Sequence, residues 1–512
     1  MITALTVLTY LALAACLVVG ALSGFRRGLG RGVVRTVYLV LLLPIACLLG
    51  HLLATPVANK IVSGMSGSGN TMIKTTVSSS ATSELFFEMV RVLAVPFMFA
   101  VVYGVLEALS LIYFRHVSDK VLNKIVGDKP QHRLSHCFGG VLGFVQGAAI
   151  SVILLIPLCM SVTLMATSDP AALAALNVPG VSAENETSAA DADSPVAILP
   201  SNKLIYSVTV LSPDDIPDEY SELREGEICM MSEAPPIINA FGHAKLSYSA
   251  ATESGNSKAI AVIRALGAIN SSMGDSRVVP AVLAHTMNAT SDMMKLAQAL
   301  FGLNISEDTV ATQLTDEILD ALKNADSSNI ASIVGTLAGD GYSKGAFEDL
   351  LELKKNTASG ESSKQNERLI ADILLSLGRN KDLRKVNNSV GDIAADFIES
   401  SDSPLLSDEM ESSQKKKVFD TVCDKLDSYS DLIGSHDGTD YDEHVKNLAD
   451  VILSETQAHD YEMTESEATI AAVGIIAYCE NGGDITPEGI MKYIGLSEEE
   501  IADILAETAL EQ

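Results

Sequence analysis

Residues 4–24 (ALTVLTYLALAACLVVGALSG) contain no charged side chain, and the first charge to appear in the sequence is Arg26. Wound as a helix at ~1.5 Å per residue, such a run covers the ~30 Å hydrocarbon core of a bilayer. This constrains the fold more than any other feature. A signal peptide competes with a retained anchor for this segment. It calls for a basic stretch ahead of the apolar run, and Met1-Ile2-Thr3 carries none. The run is also long for a signal-peptide core, so a retained span is expected. Three more apolar runs follow, at residues 33–53, 92–114 and 138–166, the first interrupted only by Arg35 and His51. No later stretch is as long. The 12 residues 468–479 (ATIAAVGIIAYC) suit a buried helix of a water-exposed domain.

Charge divides the chain at the same place. The net charge is −30 over 512 residues, yet mean hydropathy is +0.26. Residues 1–170 hold 12 basic and 6 acidic side chains, a net of +6, whereas the remainder holds 23 and 59, a net of −36. So acidic a chain argues against nucleic acid as a partner, since phosphate binding requires basic surface. The short loops set an orientation. Arg26, Arg27, Arg31 and Arg35 lie between the first two runs, and Arg115, Lys120, Lys124, Lys129 and Arg133 between the last two. The intervening Ser/Thr-rich loop has only Lys60, Lys74 and Arg91. Basic loops stay in the cytoplasm, so the N-terminus and everything after the fourth run are expected outside it.

Within the apolar third, Gly139, Gly143 and Gly147 recur every four residues, which stacks them on one helix face and lets another backbone approach closely. A pore-lining groove is the alternative use of that face. Gln146 beside it is placed to hydrogen-bond across helices. Glu107 is the one carboxylate well inside a run, ~12 Å of helix from Arg115. It is expected to pair with an arginine of the first basic loop; an ion or proton pathway is the functional alternative. Tyr113 and Phe114 beside Arg115 read as interfacial anchors in a chain without Trp. His132 and His136, four apart with Cys137 adjacent, have metal-ligand spacing but no third partner, so no metal site is expected.

This segment resembles the colicin V production (CvpA) family of bacterial inner-membrane proteins. Gly24-Phe25-Arg26-Arg27-Gly28-Leu29 is similar to that family's Gly-x-x-Arg-Gly turn. Arg133-Leu134 followed by Gly139, Gly143 and Gly147 is similar to the start of its last span. The resemblance covers residues 1–170. It implies a multi-pass protein of the bacterial cell membrane linked to toxin production or export and to envelope homeostasis, and it brings no catalytic residue or cofactor. The Ser/Thr loop and the acidic region depart from the pattern.

Residues 167–195, rich in Ala, Ser, Asp and Pro, read as a linker. From residue 196 the pattern is helical, with Val310, Leu314, Ile318, Ala321 and Leu322 on one face. Thr464-x-x-Glu467 and Ser497-x-x-Glu500 read as capping boxes, and Thr486-Pro487 as a helix start. Long loops are expected near residues 357–363 and 400–407. No phosphate loop, zinc-protease, nucleophile-elbow or CxxC motif is present. Ser412-x-x-Lys415 matches a penicillin-enzyme spacing without its companion motifs. The acidic stretches 340–349 and 481–488 lack the ligands of a calcium loop. Cys229, Cys423 and Cys479 are expected to be buried thiols. The acidic excess reads as solvated surface, with divalent cations or a cationic partner as the functional alternative.

The expectation is therefore all-α. A four-helix transmembrane bundle (residues 1–166) is followed by a linker (167–195) and a large helical extracytoplasmic domain (196–512). The protein is expected to be non-enzymatic and to need no cofactor. Its expected partners are the lipid bilayer and protein partners, or a second copy bound through the glycine face. The alternative is a channel or transporter component using Glu107 and that face.

Overall fold

The computed structural model describes residues 2–66, 80–113, 133–178, 202–289, 318–319, 322–359, 363–386, 389–400, 405–406, 410–428 and 438–506. The chain is all-α. Its described strands are two-residue pieces, β1 (Val210–Leu211) and β2 (Ile228–Cys229), paired antiparallel. The chain forms two compact units: residues 1–246 with 272–282, and residues 247–271 with 283–512.

Three described helices are long and apolar enough to cross a membrane, within Ala4–Gly64, Ala81–Ser110 and Leu134–Leu154. The first two expected runs belong to one 65-residue helix, α1 (Ile2–Ser66), broken internally at Gly28. There φ is 72° and ψ 174°, a conformation essentially restricted to glycine. The neighbours of α1 on α3 (Arg133–Leu154) reveal what the break does. Cys16 and Gly20 face Gly147, and Gly24 faces Gly143 and Gly139, so this limb runs antiparallel to α3. Past Gly28 the order inverts: Gly32 meets Leu142, and Gln146 reaches Thr36. The second limb runs parallel to α3. Gly28 is a chain reversal.

Two of the expected runs differ in extent from the helices that carry them. The run beginning at residue 92 is the later part of α2 (Ser80–Tyr113), which starts 12 residues earlier. Ala81, Leu85, Phe86 and Met89 recur at helical spacing and bury in a core with Leu211, Ile216, Tyr220, Leu223 and Ile228. An amphipathic turn of this kind leaves no trace in a hydropathy average. The Thr82 and Tyr220 hydroxyls meet at 2.7 Å in this core, and Arg91 bridges Glu88 and Asp215. The fourth run breaks at Leu155. Pro157, near the N-terminus of α4 (Ile156–Thr167), starts a new helix whose Ile156, Cys159, Met160 and Val162 are buried.

The expected linker is helical where it begins. Asp169 caps α5 (Pro170–Ala175) by accepting from the Ala171 amide, while its second oxygen lies 3.2 Å from His243 Nε2. Residues 179–195 lie outside the described residues. So do His132, Phe114, Arg115, Val310, Leu314 and Ala321.

The second unit is built around the helix Glu465–Glu480, buried on nearly all sides through Ala468, Ile470, Ala471, Val473, Ile475 and Ile476. This is the short apolar run, and it packs on the helices Ser389–Ser400, Gly438–Ala458 and Ser363–Arg379. Thr464 and Glu467 form the expected reciprocal cap, Ser497 and Glu500 another, and Thr486 accepts from the Gly489 amide. Of the loop expected at residues 357–363, residues 357–359 are the last of the helix Ala346–Ser359 and residue 363 opens the next helix; 360–362 lie outside the described residues. Lys415 is buried, and Asp340 turns its own loop by accepting from the Tyr342 and Ser343 amides.

Candidate functional site

The first limb of α1 and α3 meet through two glycine rows. Gly139, Gly143 and Gly147 of α3 meet Gly20, Gly24 and Gly28 of α1. A Cβ on Gly147 would stand 2.6 Å from the Cys16 carbonyl oxygen, one on Gly143 2.7 Å from Gly24 Cα, and one on Gly139 2.6 Å from the Gly24 carbonyl oxygen. The obstructing atoms are backbone on both sides, so no side chain can move aside. Close backbone approach of this kind supplies helix association where lipid gives no hydrophobic drive.

Polar groups lock the second limb to the same axis. Gln146 Nε2 donates to the Gly32 carbonyl at 2.9 Å and to Thr36 Oγ1 at 2.6 Å. At the turn, the Leu29 amide donates to Ser135 Oγ at 3.2 Å, and His136 Nδ1 lies 2.8 Å from the Phe25 carbonyl oxygen. His136 is thus occupied by the reversal. Arg26 is exposed beside it and Arg27 half-buried.

Glu107 on α2 is buried and pairs with Arg35 on the second limb of α1, Nη2 to Oε1 at 2.5 Å. Ser110 Oγ donates to its other oxygen at 3.1 Å. Both charges therefore have partners, which lowers the cost of burial. Further along the second limb, Gly50 brings α1 against the Phe99 backbone of α2. The structure thus gathers Gly139, Gly143, Gly147, Gln146, Gly24 and Gly28 at one contact and places Glu107 beside it on α2.

The face expected to receive a second copy is filled by the chain's own first limb. The row Gly20, Gly24, Gly28 has the same four-residue spacing as its partner. The signal was in the sequence, but Gly20 lay within an uncharged run and Gly24 and Gly28 read as a turn. Among the described residues no group of three or more His, Cys, Asp or Glu is arranged to hold a metal ion. None of the seven cysteines forms a disulfide; Cys423 and Cys479 are buried and Cys229 half-buried. Comparison with family models, curated proteins and solved structures returns no match.

Proposed function

We propose that this chain is a non-enzymatic, multi-pass protein of a bacterial cell membrane. In this reading it resembles the colicin V production proteins and serves toxin production or export and envelope homeostasis. The observation that carries this proposal is the Gly28 reversal. It folds the runs at 4–24 and 33–53 into two opposed limbs along α3, the first packed through glycine, which with α2 and α3 would make four passes. The Arg26, Arg27 and Arg31 turn then lies at the same end of the bundle as Arg133, in keeping with a cytoplasmic basic end. The N-terminus and the acidic region belong to the opposite, extracytoplasmic side, where residues 196–512 act as an interaction module. The Glu107–Arg35 pair favours a structural role for Glu107 over an ion pathway.

The topology is tested with a membrane-impermeant maleimide on the Glu253→Cys protein, whose site is exposed. Labelling in intact cells above that of the parent is expected. Labelling that requires permeabilisation overturns the extracytoplasmic assignment. Flux through vesicles that disappears in Glu107→Gln would replace the packing role with the channel alternative.

A further inference from the structure

We infer that the short helix α6 (Asn202–Val208) is an interfacial anchor that lays its apolar face on the lipid surface at the end of the bundle away from Arg26. The inference rests on the membrane reading proposed above. Ile205 is fully buried and joins the cluster of Ala100, Leu155, Ile156, Cys159 and Met160, which fixes α6 against α4. Around that one buried residue the helix turns the wrong side chains outward for a water-soluble surface. Leu204 is 40%, Tyr206 36% and Val208 46% exposed, with Lys203 beside them.

The contrast with the rest of the chain is sharp. Among the described residues beyond 154, the exposed large apolar side chains are these three and Tyr342. All others lie between residues 7 and 154, on the helices that would face lipid. Exposed members of that girdle, Leu154, Phe97 and Val101, stand one to three residues along the chain from Leu155 and Ala100, the residues on which Ile205 packs.

Depth agrees. From Arg133 to Leu154, 22 residues of helix rise ~33 Å, so Leu155 and the docked Ile205 stand at the far edge of a ~30 Å hydrocarbon layer. Tyrosine, with an apolar ring and polar tip, and lysine, with an apolar stem and charged head, are the side chains that settle at this boundary. Cys229 Sγ donates to the Tyr206 carbonyl, and the Met230 amide donates to that of Thr209. The anchor is thereby tied to β2 and the helix that follows it.

Because the chain contains no Trp, one introduced Trp reports alone. Full-length Tyr206→Trp, Leu204→Trp and Val18→Trp proteins are reconstituted in vesicles whose lipids are brominated either near the headgroup or near the chain ends. Val18 is exposed in the middle of the first limb. The expected result is quenching of Tyr206→Trp and Leu204→Trp by shallow bromines about twofold or more above that by deep ones. Val18→Trp should be quenched by both. Quenching of Val18→Trp with neither position in α6 affected overturns the anchor alone. Absence of quenching at all three positions overturns the membrane reading itself.

Discussion

The two units are built inside-out relative to each other. Between the first limb of α1 and α3 the contact is made by missing side chains, and large residues such as Leu11, Val19, Leu48 and Val141 point outward. In the second unit the large residues point inward. Ile470, Val473, Ile475 and Ile476 fill the centre, and Tyr342 is the one exposed large apolar side chain among its described residues. In the membrane reading proposed above, the difference follows from the solvent each part meets. Water drives apolar side chains together, so a core of branched residues is stable there. Lipid does not, and association then depends on backbone approach and on polar groups that would be costly alone.

The comparison is broken most severely at the glycine rows. Gly143→Leu sets a side chain against Gly24 and Gly20 backbone, which exceeds ordinary core overpacking of ~1–3 kcal/mol. Loss of folded protein from membranes is expected, measured as the fraction that stays monodisperse in detergent. Wild-type behaviour of Gly143→Leu would mean that the rows do not carry the contact.

The ion pair ranks next. Glu107→Leu leaves the half-buried Arg35 without its carboxylate and should cost up to ~3–5 kcal/mol, while Glu107→Leu with Arg35→Leu should recover most of that loss. Thermal unfolding in detergent separates the two, and equal melting temperatures for single and double variants would show that the charges do not interact. In the second unit the corresponding wound is a cavity. Ile475→Ala, at a nearly inaccessible position, is expected to cost ~2–5 kcal/mol in the same assay.

Uneven legibility follows from the same physics. Apolar runs are local, so the apolar stretches of α1 to α3 could be read from the sequence, though not their ends. Gly139, Gly143 and Gly147 were visible because spacing alone defines a face. Their partners Gly20, Gly24 and Gly28 obey the same spacing, but pairing two rows needs the chain reversal, which hangs on one backbone angle. The ends of the long helices were hidden for another reason. Ala81, Leu85 and Phe86 bury against residues more than 120 positions away, and long-range packing of that kind has no local period. In the acidic unit the caps at Thr464, Thr486 and Ser497 were readable, being contained within four residues. Short helices such as Lys381–Val386 escaped notice because they have too few turns to establish a period.

A smaller effect lies in the alkaline range of the second unit. Burial pushes both the Cys423 and Cys479 thiols up from the ordinary 9.0 to about 12. The folded state then keeps protons that the unfolded chain releases. This contribution is complete below pH 9.0 and is lost as pH rises from there through about 12. Replacing both residues with Ala should flatten the alkaline limb of the stability curve; an unchanged limb would assign it to other groups.

The smallest expected effect is at a cap. Thr464 Oγ1 accepts from the Glu467 amide at 3.1 Å, and Glu467 Oε2 accepts from the Thr464 amide at 2.7 Å. Thr464→Ala removes one half of this pair and should cost ~1 kcal/mol. The helix it starts is the centre of the second unit, so the loss should appear in the unfolding of that unit. Packing of the glycine rows, followed by the melting of the apolar bundle in detergent, should not change. A shift in both transitions would mean that the two units unfold as one cooperative body, and the contrast between a backbone-packed and a side-chain-packed unit would then describe one folding transition instead of two.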